Sequence, residues 1–386
     1  VNTRALRVAV FVGTYLPYSE TFIYDQLRTH VRYRPEVYAY ESCGAMQRFP
    51  FDHVHVLSGI ERVRYVVLGS STTFSAALTR TRPAVIHAHF GTNGVYAAGF
   101  ARKLGVPLVV TFHGHDVPAL IGRSRYTWRY ARYAVFARRM LDQAALLLPA
   151  SQDLADRLVR DAAADPRKVV VHRLGVDLER FSVRQRMPTE KHVVMVGRFV
   201  EKKGHVYGIR AFASVFRDHP DARLVIVGEG PLARNYQAEI DRLGIAHAVE
   251  LTGVLSPEQL ATRLGKARVV LAPSVTASSG DVESGLIVVK EAGAMHVPCI
   301  GTRHGGIPEI IDHQQTGYLV NERDSEAMAT YLGRLLTDET LVDALGQAAR
   351  TKVEREYDLN TQTARLETLF DSVLGSPEVA PASHPR

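Results

Sequence analysis

Apolar positions along the 386-residue chain fall into short, nearly unbroken runs separated by longer stretches of helical periodicity. In the first half the runs are 6–12, 85–88, 108–112, 146–149 and 169–172, ending at or beside Gly13, His89, His113, Pro149 and His172. Brief continuous runs of this kind predict strands buried on both faces, and the helical stretches between them predict a parallel α/β sheet. The pattern restarts at 193–196 and continues at 224–227, 249–252, 269–271 and 298–300. Ahead of the restart, 182–191 is polar with one proline and reads as a linker. The chain is long for one hydrophobic core. The expectation is therefore two doubly wound Rossmann-like domains, 1–181 and 192–355. A helix over 356–374 is expected to return to the first domain, and a Pro-, Ala- and Ser-rich tail over 375–386 to be disordered. The two halves begin alike, Leu6 to Gly13 and His192 to Gly197, each running from a strand into a glycine turn. Two such domains facing each other across a cleft would gather both sets of strand C-terminal ends, where open α/β sheets bind ligands.

Composition changes this picture little. The chain is 46% hydrophobic and 23% charged, ordinary for a globular protein, and no run reaches the roughly 20 apolar residues of a membrane helix. Arg4 and Arg7 precede the apolar run 8–12, but Gly13 closes it too early for a signal peptide, and a buried strand is expected instead. Cys43 and Cys299 show no metal or redox spacing and suggest a reducing cytoplasm. Charge is more informative. The net value is +7, yet 1–186 holds 26 Lys and Arg against 14 Asp and Glu, while the remainder holds 21 against 26. A basic first half fits an anionic partner such as a membrane surface, a phospholipid-linked acceptor or nucleic acid. A solvated, arginine-rich surface accounts for it equally well.

The chemistry concentrates in the second half. Glu283 and Glu291 stand eight apart, separated by Ser284, Gly285 and Leu286 and an apolar run that reads as a helix start. Ser284, Gly285 and Leu286 would then lie at a helix N-terminus, where free N–H groups and the helix dipole favour a phosphate. Glu283 is expected in the loop facing that anion and Glu291 about two turns along the helix, both able to accept hydrogen bonds from hydroxyl groups. The turn Gly197-Arg198-Phe199-Val200-Glu201-Lys202-Lys203-Gly204 sets Arg198 and Lys203 five apart, a guanidinium fork and a mobile point charge suited to a diphosphate. A second strand-end turn, Gly228-Glu229-Gly230, lacks the third glycine of a dinucleotide fingerprint. Gly305-Gly306 would allow close backbone approach to a ligand, or simply make a turn.

In order, these elements resemble the family 4 (group 1) retaining glycosyltransferases, whose fold is GT-B. The resemblance rests on Gly-Arg-Phe-Val-Glu-Lys-Lys-Gly, the Glu-x7-Glu element, Gly-Gly-Ile-Pro-Glu followed by Gly317-Tyr318-Leu319-Val320, and Leu174-Gly175-Val176-Asp177. Tyr18-Ser19-Glu20-Thr21-Phe22-Ile23 further resembles a subgroup linked to exopolysaccharide (colanic-acid-type) assembly. The resemblance implies an acceptor-side first domain and a nucleotide-sugar-binding second domain. It implies that Arg198 and Lys203 neutralise a donor diphosphate, Glu283 contacts the transferred sugar and Glu291 the ribose, and Gly285 and Leu286 hold the distal phosphate through backbone. His113 matches the family histidine beside the donor sugar, with Asp116 a weaker neighbour; Gly13 and Gly228 are donor-side turns. Ser284 and His296 stand where the family usually has glycine, and the first loop has Gly13 alone instead of paired glycines.

The activity implied is transfer of a hexose, with retention, from a nucleotide-diphosphate sugar to a glycan, lipid-linked or small-molecule acceptor, without metal or other cofactor. Fixed cations and N–H donors would stabilise the departing diphosphate. Two other enzymes compete: a nucleotide-sugar epimerase of the same fold, and a metal-dependent hydrolase built on His87, His89, His113, His115 and Asp116. A nucleotide-sugar sensor without activity is a further possibility, against which the Arg198–Lys203 pair argues. Finally, Arg123, Arg125, Arg129, Arg132, Arg138 and Arg139 interleave with Tyr126, Trp128, Tyr130, Tyr133 and Phe136. This segment, 123–139, fits peripheral contact with an anionic membrane or a helix covering its own sheet. No nucleic-acid-binding motif accompanies the charge.

Overall fold

A computed structural model of the chain describes residues 5–15, 17, 20–43, 49–121, 130–182 and 191–375. Tyr18 and Ser19, residues 123–129, most of the 182–191 segment and the tail beyond 375 lie outside the described residues. The chain divides into two compact units.

The first unit contains 1–150, 154–175 and 359–386. Its elements are β1 (Leu6–Tyr15), α1 (Thr21–Thr29), β2 (Tyr33–Ser42), β3 (Val54–Val56), α2 (Gly59–Leu68), α3 (Thr72–Thr81), β4 (Val85–His89), α4 (Gly91–Leu104), β5 (Leu108–Phe112), α5 (Asp116–Ile121), α6 (Ala131–Gln143), β6 (Leu146–Pro149) and most of α7 (Gln152–Arg160). The six strands make one parallel sheet in the order β3-β2-β1-β4-β5-β6. Val8, Val10, Val85, Val109 and Leu148 point to one face, Phe11, Ile86, Val110 and Leu147 to the other, and both faces are buried. That is why these runs are continuously apolar.

The second unit contains 151–153 and 176–358. It holds β7 (His192–Val196), α8 (His205–Phe216), β8 (Arg223–Val227), α9 (Ala233–Arg242), β9 (Val249–Gly253), α10 (Pro257–Gly265), β10 (Ala267–Ala272), α11 (Ile287–Ala294), β11 (Cys299–Thr302), α12 (Ile307–Ile310), β12 (Gly317–Val320), α13 (Ser325–Thr337) and α14 (Glu339–Tyr357). Its strands run β12-β11-β10-β7-β8-β9, again all parallel. Counted from its own first strand, each sheet has the order 3-2-1-4-5-6 of a doubly wound nucleotide-binding fold. The fold class is thus two Rossmann-like domains.

Several details differ from the sequence reading. β1 does not turn at Gly13 but continues to Tyr15, because β2 keeps pairing through Ser42 and the buried Tyr15 donates its hydroxyl to Phe49 O at 2.7 Å. The run 169–172 makes only an isolated bridge, Leu147 to Val169, although Val170 N and His172 N still bond to Leu147 O and Pro149 O. The chain passes between units at Gly175/Val176, ahead of 182–191. Val176 N donates to Tyr357 O at 2.8 Å, and Val176 and Phe181 pack into the second core. The last helix, α15 (Leu359–Val373), belongs to the first unit, where buried Glu367 accepts from the backbone N–H groups of Val31, Arg32 and Tyr33.

Candidate active site

In the second domain the strand order reverses between β7 and β10, and the crevice outside their carboxyl ends is the natural ligand position. The chain leaves β7 through Gly197 into a 3-10 turn over Glu201–Lys203, and leaves β10 into the loop 273–286. Backbone ties the two exits together: Val275 N donates to Lys202 O at 2.9 Å, and Ser278 donates through N and Oγ to the Glu201 carboxylate at 3.0 and 2.7 Å.

The two lysines of the turn are bound differently. Lys202 is buried, with Nζ 3.2 Å from Asp281 Oδ1, 3.2 Å from Glu283 Oε1 and 3.4 Å from Val282 O. Two acceptors thus take hydrogen bonds from the ammonium, and Glu283 Oε1 stands in ion-pair contact with it. Lys203 Nζ lies 2.9 Å from Glu283 Oε2 and meets no other side-chain partner among the described residues, leaving two N–H donors uncommitted. Burial works against the charge on Glu283, but Lys203 and Lys202 outweigh it and hold the carboxyl down at about 2. Burial likewise opposes charge on Lys202, and Glu283 and Asp281 overcome it, raising its pKa. At neutral pH Glu283 is therefore an acceptor with no proton to give.

A second clamp fixes the Glu283 backbone. Glu283 N donates to His304 Nε2 at 2.9 Å, and His304 Nδ1 donates to Glu322 Oε1 at 2.7 Å, a pairing that sets the tautomer. Glu322 also accepts from Thr276 N and Oγ1, so one carboxylate spans two loops. Gly305, at φ +48°, lies where a Cβ would come within 2.0 Å of Glu283 O, which only glycine permits. Ser284 is buried, its Oγ 3.1 Å from Ser151 Oγ, so its hydroxyl serves the loop's anchoring.

Beyond these anchors come Gly285, half-buried, and Leu286, the N-cap of α11, which no side chain caps. The first-turn N–H groups of this helix are of the kind that bind anions. Because α11 starts only at Ile287, Glu291 sits in its second turn, half-buried, about one turn from the N-cap and not two turns along. Arg198 is exposed at the exit of β7 and makes no ion pair among the described residues. Gly228, at φ +139°, lets the β8 turn approach β7, since a Cβ there would meet Gly197 O at 2.1 Å. Lys203, Glu283, Ser284, Gly285 and Leu286 are thus in one place, with Arg198, Gly228 and Glu291 on elements adjoining it.

The first domain places its expected residues at the ends of β1, β4 and β5. Gly13 lies within β1 beside Asn93, whose Nδ2 donates to His89 O at 2.7 Å. His87 Nε2 pairs with Thr111 Oγ1 at 2.8 Å and His89 Nδ1 with His113 Nε2 at 3.0 Å. Burial above all, then neighbouring histidines, pushes the pKa of both His87 and His89 far below the ordinary imidazole value. Asp116, expected near the donor, is fully buried. Its oxygens accept from Gly91 N, His113 N and Gly114 N at 3.0, 3.2 and 3.0 Å, so it organises the loop and presents no oxygen to a ligand. Among the described residues no group of three or more His, Cys, Asp or Glu is arranged to hold a metal ion. Of the five potential ligands of the metal-hydrolase reading, Asp116 is engaged by three backbone N–H groups.

Sequence reasoning missed Lys202, Asp281, His304 and Glu322. The Lys-Lys doublet was visible, but a doublet reads as solvated charge, and nothing local shows that one of the pair turns inward.

Two doubly wound domains, with Arg198, Lys203 and an uncapped helix N-terminus at the switch point of the second, suit a nucleotide-sugar glycosyltransferase, and the comparisons agree. Residues 2–175 match the glycosyl transferase 4-like domain and 178–352 match the glycosyl transferases group 1 model. The chain is 33% identical over 304 residues to the putative colanic acid biosynthesis glycosyltransferase WcaL of Escherichia coli K12, covering 76% of this chain and 72% of that protein. It is 31% identical over 377 residues to the GDP-mannose-dependent alpha-(1-6)-phosphatidylinositol monomannoside mannosyltransferase of Mycolicibacterium smegmatis, covering 92% and 93%. The crystal structure of Anabaena HepE in complex with UDP has the same fold, with TM-score 0.78 at 16% identity, covering 95% of this chain and 100% of that one. The chain belongs to the group 1, family 4 glycosyltransferases. No helix among the described residues is long and apolar enough to cross a membrane.

Proposed function

We propose that the protein transfers a hexose with retention from a nucleotide-diphosphate sugar to a glycan or lipid-linked acceptor, without a metal ion, in polysaccharide assembly. The observation that carries this reading is the Lys203–Glu283 pair, one charged donor with two N–H groups in hand, three residues ahead of an uncapped helix N-terminus. Lys203 and Arg198 would meet the diphosphate, Gly285 and Leu286 N–H groups its distal phosphate, Glu283 the sugar hydroxyls and Glu291 the ribose. Gly228 serves this arrangement as a close-packed turn. As the anomeric C–O bond breaks, its electron pair passes to the diphosphate oxygen, where the fixed cations and N–H dipoles act most strongly. The acceptor hydroxyl attacks from the same face and its proton passes to the departing phosphate. Glu283, ionised and engaged with two lysines, orients the sugar and is not a nucleophile in this scheme. The names of the relatives, one for colanic acid biosynthesis and one for a phosphatidylinositol monomannoside mannosyltransferase, support the acceptor class. UDP in one neighbouring structure and GDP-mannose in the name of one relative leave the base to be identified.

The test is a thermal-shift screen of UDP-, GDP-, ADP- and dTDP-sugars, followed by acceptor-dependent nucleotide release with NMR of the new linkage. Retention of the anomeric configuration and activity undiminished by EDTA are expected. Inversion, or EDTA inactivation reversed by a divalent ion, would overturn the mechanism. Conversion of donor without acceptor would favour the epimerase.

A further inference from the structure

His304 spends both ring nitrogens on the second domain's own loops. Its Nε2 accepts from Glu283 N and its Nδ1 donates to Glu322, so neither is left to serve a ligand as acid or base. The residue is buried. Glu322 extends the chain of contacts on the far side, accepting from Thr276 N and Oγ1, while Arg323 beside it donates to Thr276 O at 2.8 Å. Arg323 stands at φ +66°, a left-handed conformation that a non-glycine residue keeps only where its surroundings over-determine it. Burial works against charge on Glu322, yet the bonds from Thr276 and His304 outweigh it and lower its pKa. An ionised Glu322 polarises the imidazole and strengthens Nε2 as an acceptor. The exits of three neighbouring strands, β10, β11 and β12, are thereby joined through one ring.

The turn after His304 packs on the two carbonyls that follow the clamped amide. A Cβ at Gly305 would meet Glu283 O at 2.0 Å, and one at Gly306 would meet Ser284 O at 2.2 Å. With Glu283 N held as well, the peptide planes at 283 and 284 have no room to rotate. The N–H groups of Gly285 and Leu286 come next in the chain and take their direction from those planes. We propose that His304, backed by Glu322, is a positioning residue for the transfer reaction, fixing segment 283–286 in the orientation a donor diphosphate requires. This role presupposes the donor contacts assigned above to Glu283, Gly285 and Leu286. A leucine at 304 would leave the buried Glu283 N–H without its acceptor. A glutamine amide oxygen, by contrast, reaches the place of Nε2 and accepts from it.

His304→Leu, His304→Gln and Glu322→Gln in the full chain test it. Amide hydrogen exchange at Glu283 should be about tenfold or more faster in His304→Leu and close to wild type in His304→Gln. With the nucleotide sugar that the thermal-shift screen selects, His304→Leu should lower kcat about 100-fold, the order for a reacting group displaced by about 1 Å. Affinity for the nucleoside diphosphate product, UDP or GDP by calorimetry, should fall far less than kcat. His304→Gln should recover most of the turnover. Glu322→Gln should lower kcat about tenfold, since an amide accepts at one oxygen only. Equal kcat in His304→Leu and His304→Gln would overturn the proposal, as would wild-type exchange at Glu283 in His304→Leu. Should His304→Leu fail to fold, wild-type kcat in Glu322→Gln would overturn it instead. The exchange measurement needs no donor. It therefore separates a failed positioning role from a failed donor reading, in which the wild-type chain would ignore every nucleotide sugar.

Discussion

The two domains share one strand order yet furnish their strand ends in opposite ways. At the exits of β7 and β10, Lys202, Lys203, Asp281 and Glu283 form a balanced cluster of ion pairs in which Lys202 and Glu283 stay ionised despite burial. At the exits of β4 and β5, His87, His89 and His113 form a row in which burial keeps His87 and His89 neutral. The same scaffold thus provides one site where Lys203 keeps two donors open for an anion and one lined by neutral imidazoles. Fold alone assigns neither role; the charge each loop can keep ionised does. In the proposed reaction the second domain's exits take the leaving group.

The largest effect that could break this contrast is on turnover. If Lys203 acts on charge that develops as the bond breaks, Lys203→Ala should lower kcat by roughly 100- to 1,000-fold, the cost of losing one preorganised donor. Donor affinity should change far less, as seen by calorimetry beside single-turnover rates. An unchanged kcat with a raised KM would make Lys203 a uniform binder and remove the reason for separating the two domains' roles.

Next comes the division of labour between the lysines. Lys202→Met removes the cation shared by Asp281 and Glu283, leaving Asp281 unpaired and Glu283 with Lys203 alone, and should cost about 3 kcal/mol in urea unfolding, since breaking a buried ion pair leaves uncompensated charge. Lys203→Met should cost about 1 kcal/mol, because Glu283 keeps Lys202 and Lys203 has one partner to lose. Lys202→Arg should recover part of the loss. Equal destabilisation by the two methionine variants would mean that Lys203 is as structural as its neighbour.

These distinctions were partly legible in the sequence. Strands buried on both faces announce themselves as continuous apolar runs, so β4 to β11 were found with small errors of boundary. β2 was missed because Arg34, Pro35, Glu36 and Glu41 interrupt its pattern, β3 is too short to show a period, and β12, as long as β6 and β11, was read only as part of the motif 317–320. Glu283, Lys203 and the start of α11 were recoverable because glycine turns and helix starts are local signals. Lys202, His304 and Glu322 were not, since their importance arises from contacts 80, 21 and 18 positions away in the chain. Asp116 shows the reverse error. Beside histidines in a strand-end loop it reads as a site residue, and only its three backbone donors reveal a structural carboxylate.

A smaller effect sharpens the reading of the second domain. Glu291 lies one turn into α11, away from the breaking bond in the proposed scheme, and there it should add equally to ground and transition states. Glu291→Ala is therefore expected to weaken donor binding about tenfold, the order of one charge-assisted hydrogen bond, while kcat at saturating donor stays within about twofold. Loss of kcat instead, with affinity intact, would move Glu291 from ribose contact to the reacting end and dissolve the distinction from Glu283.

The smallest effect compares the domains by acid. His87 and His89 have folded pKa values far below the ordinary 6.5, so the fold prefers their neutral forms. Stability from that preference is complete above 6.5 and is lost as pH falls, at about 1.4 kcal/mol per pH unit for each imidazole. Protonation would also add an N–H at His87 Nδ1 or His89 Nε2, atoms with no hydrogen-bond partner among the described residues. In the second domain Glu283 runs the same way at lower pH, its contribution present above 4.5 and lost only as pH falls towards about 2. His205 there, held at about 3 by burial and by Lys203, loses its share over the same upper window; the domain's other lowered imidazole, His313, sits against β12, so the β7–β8 region carries one such imidazole against two at β4 and β5. Between pH 6.5 and 5, hydrogen exchange corrected for intrinsic rates should show β4 and β5 losing protection about twice as steeply as β7 and β8. Matching slopes would mean that the first domain relaxes around its charged imidazoles. Its strand ends would then be a wet, adaptable site and not the dry neutral counterpart of the lysine cluster.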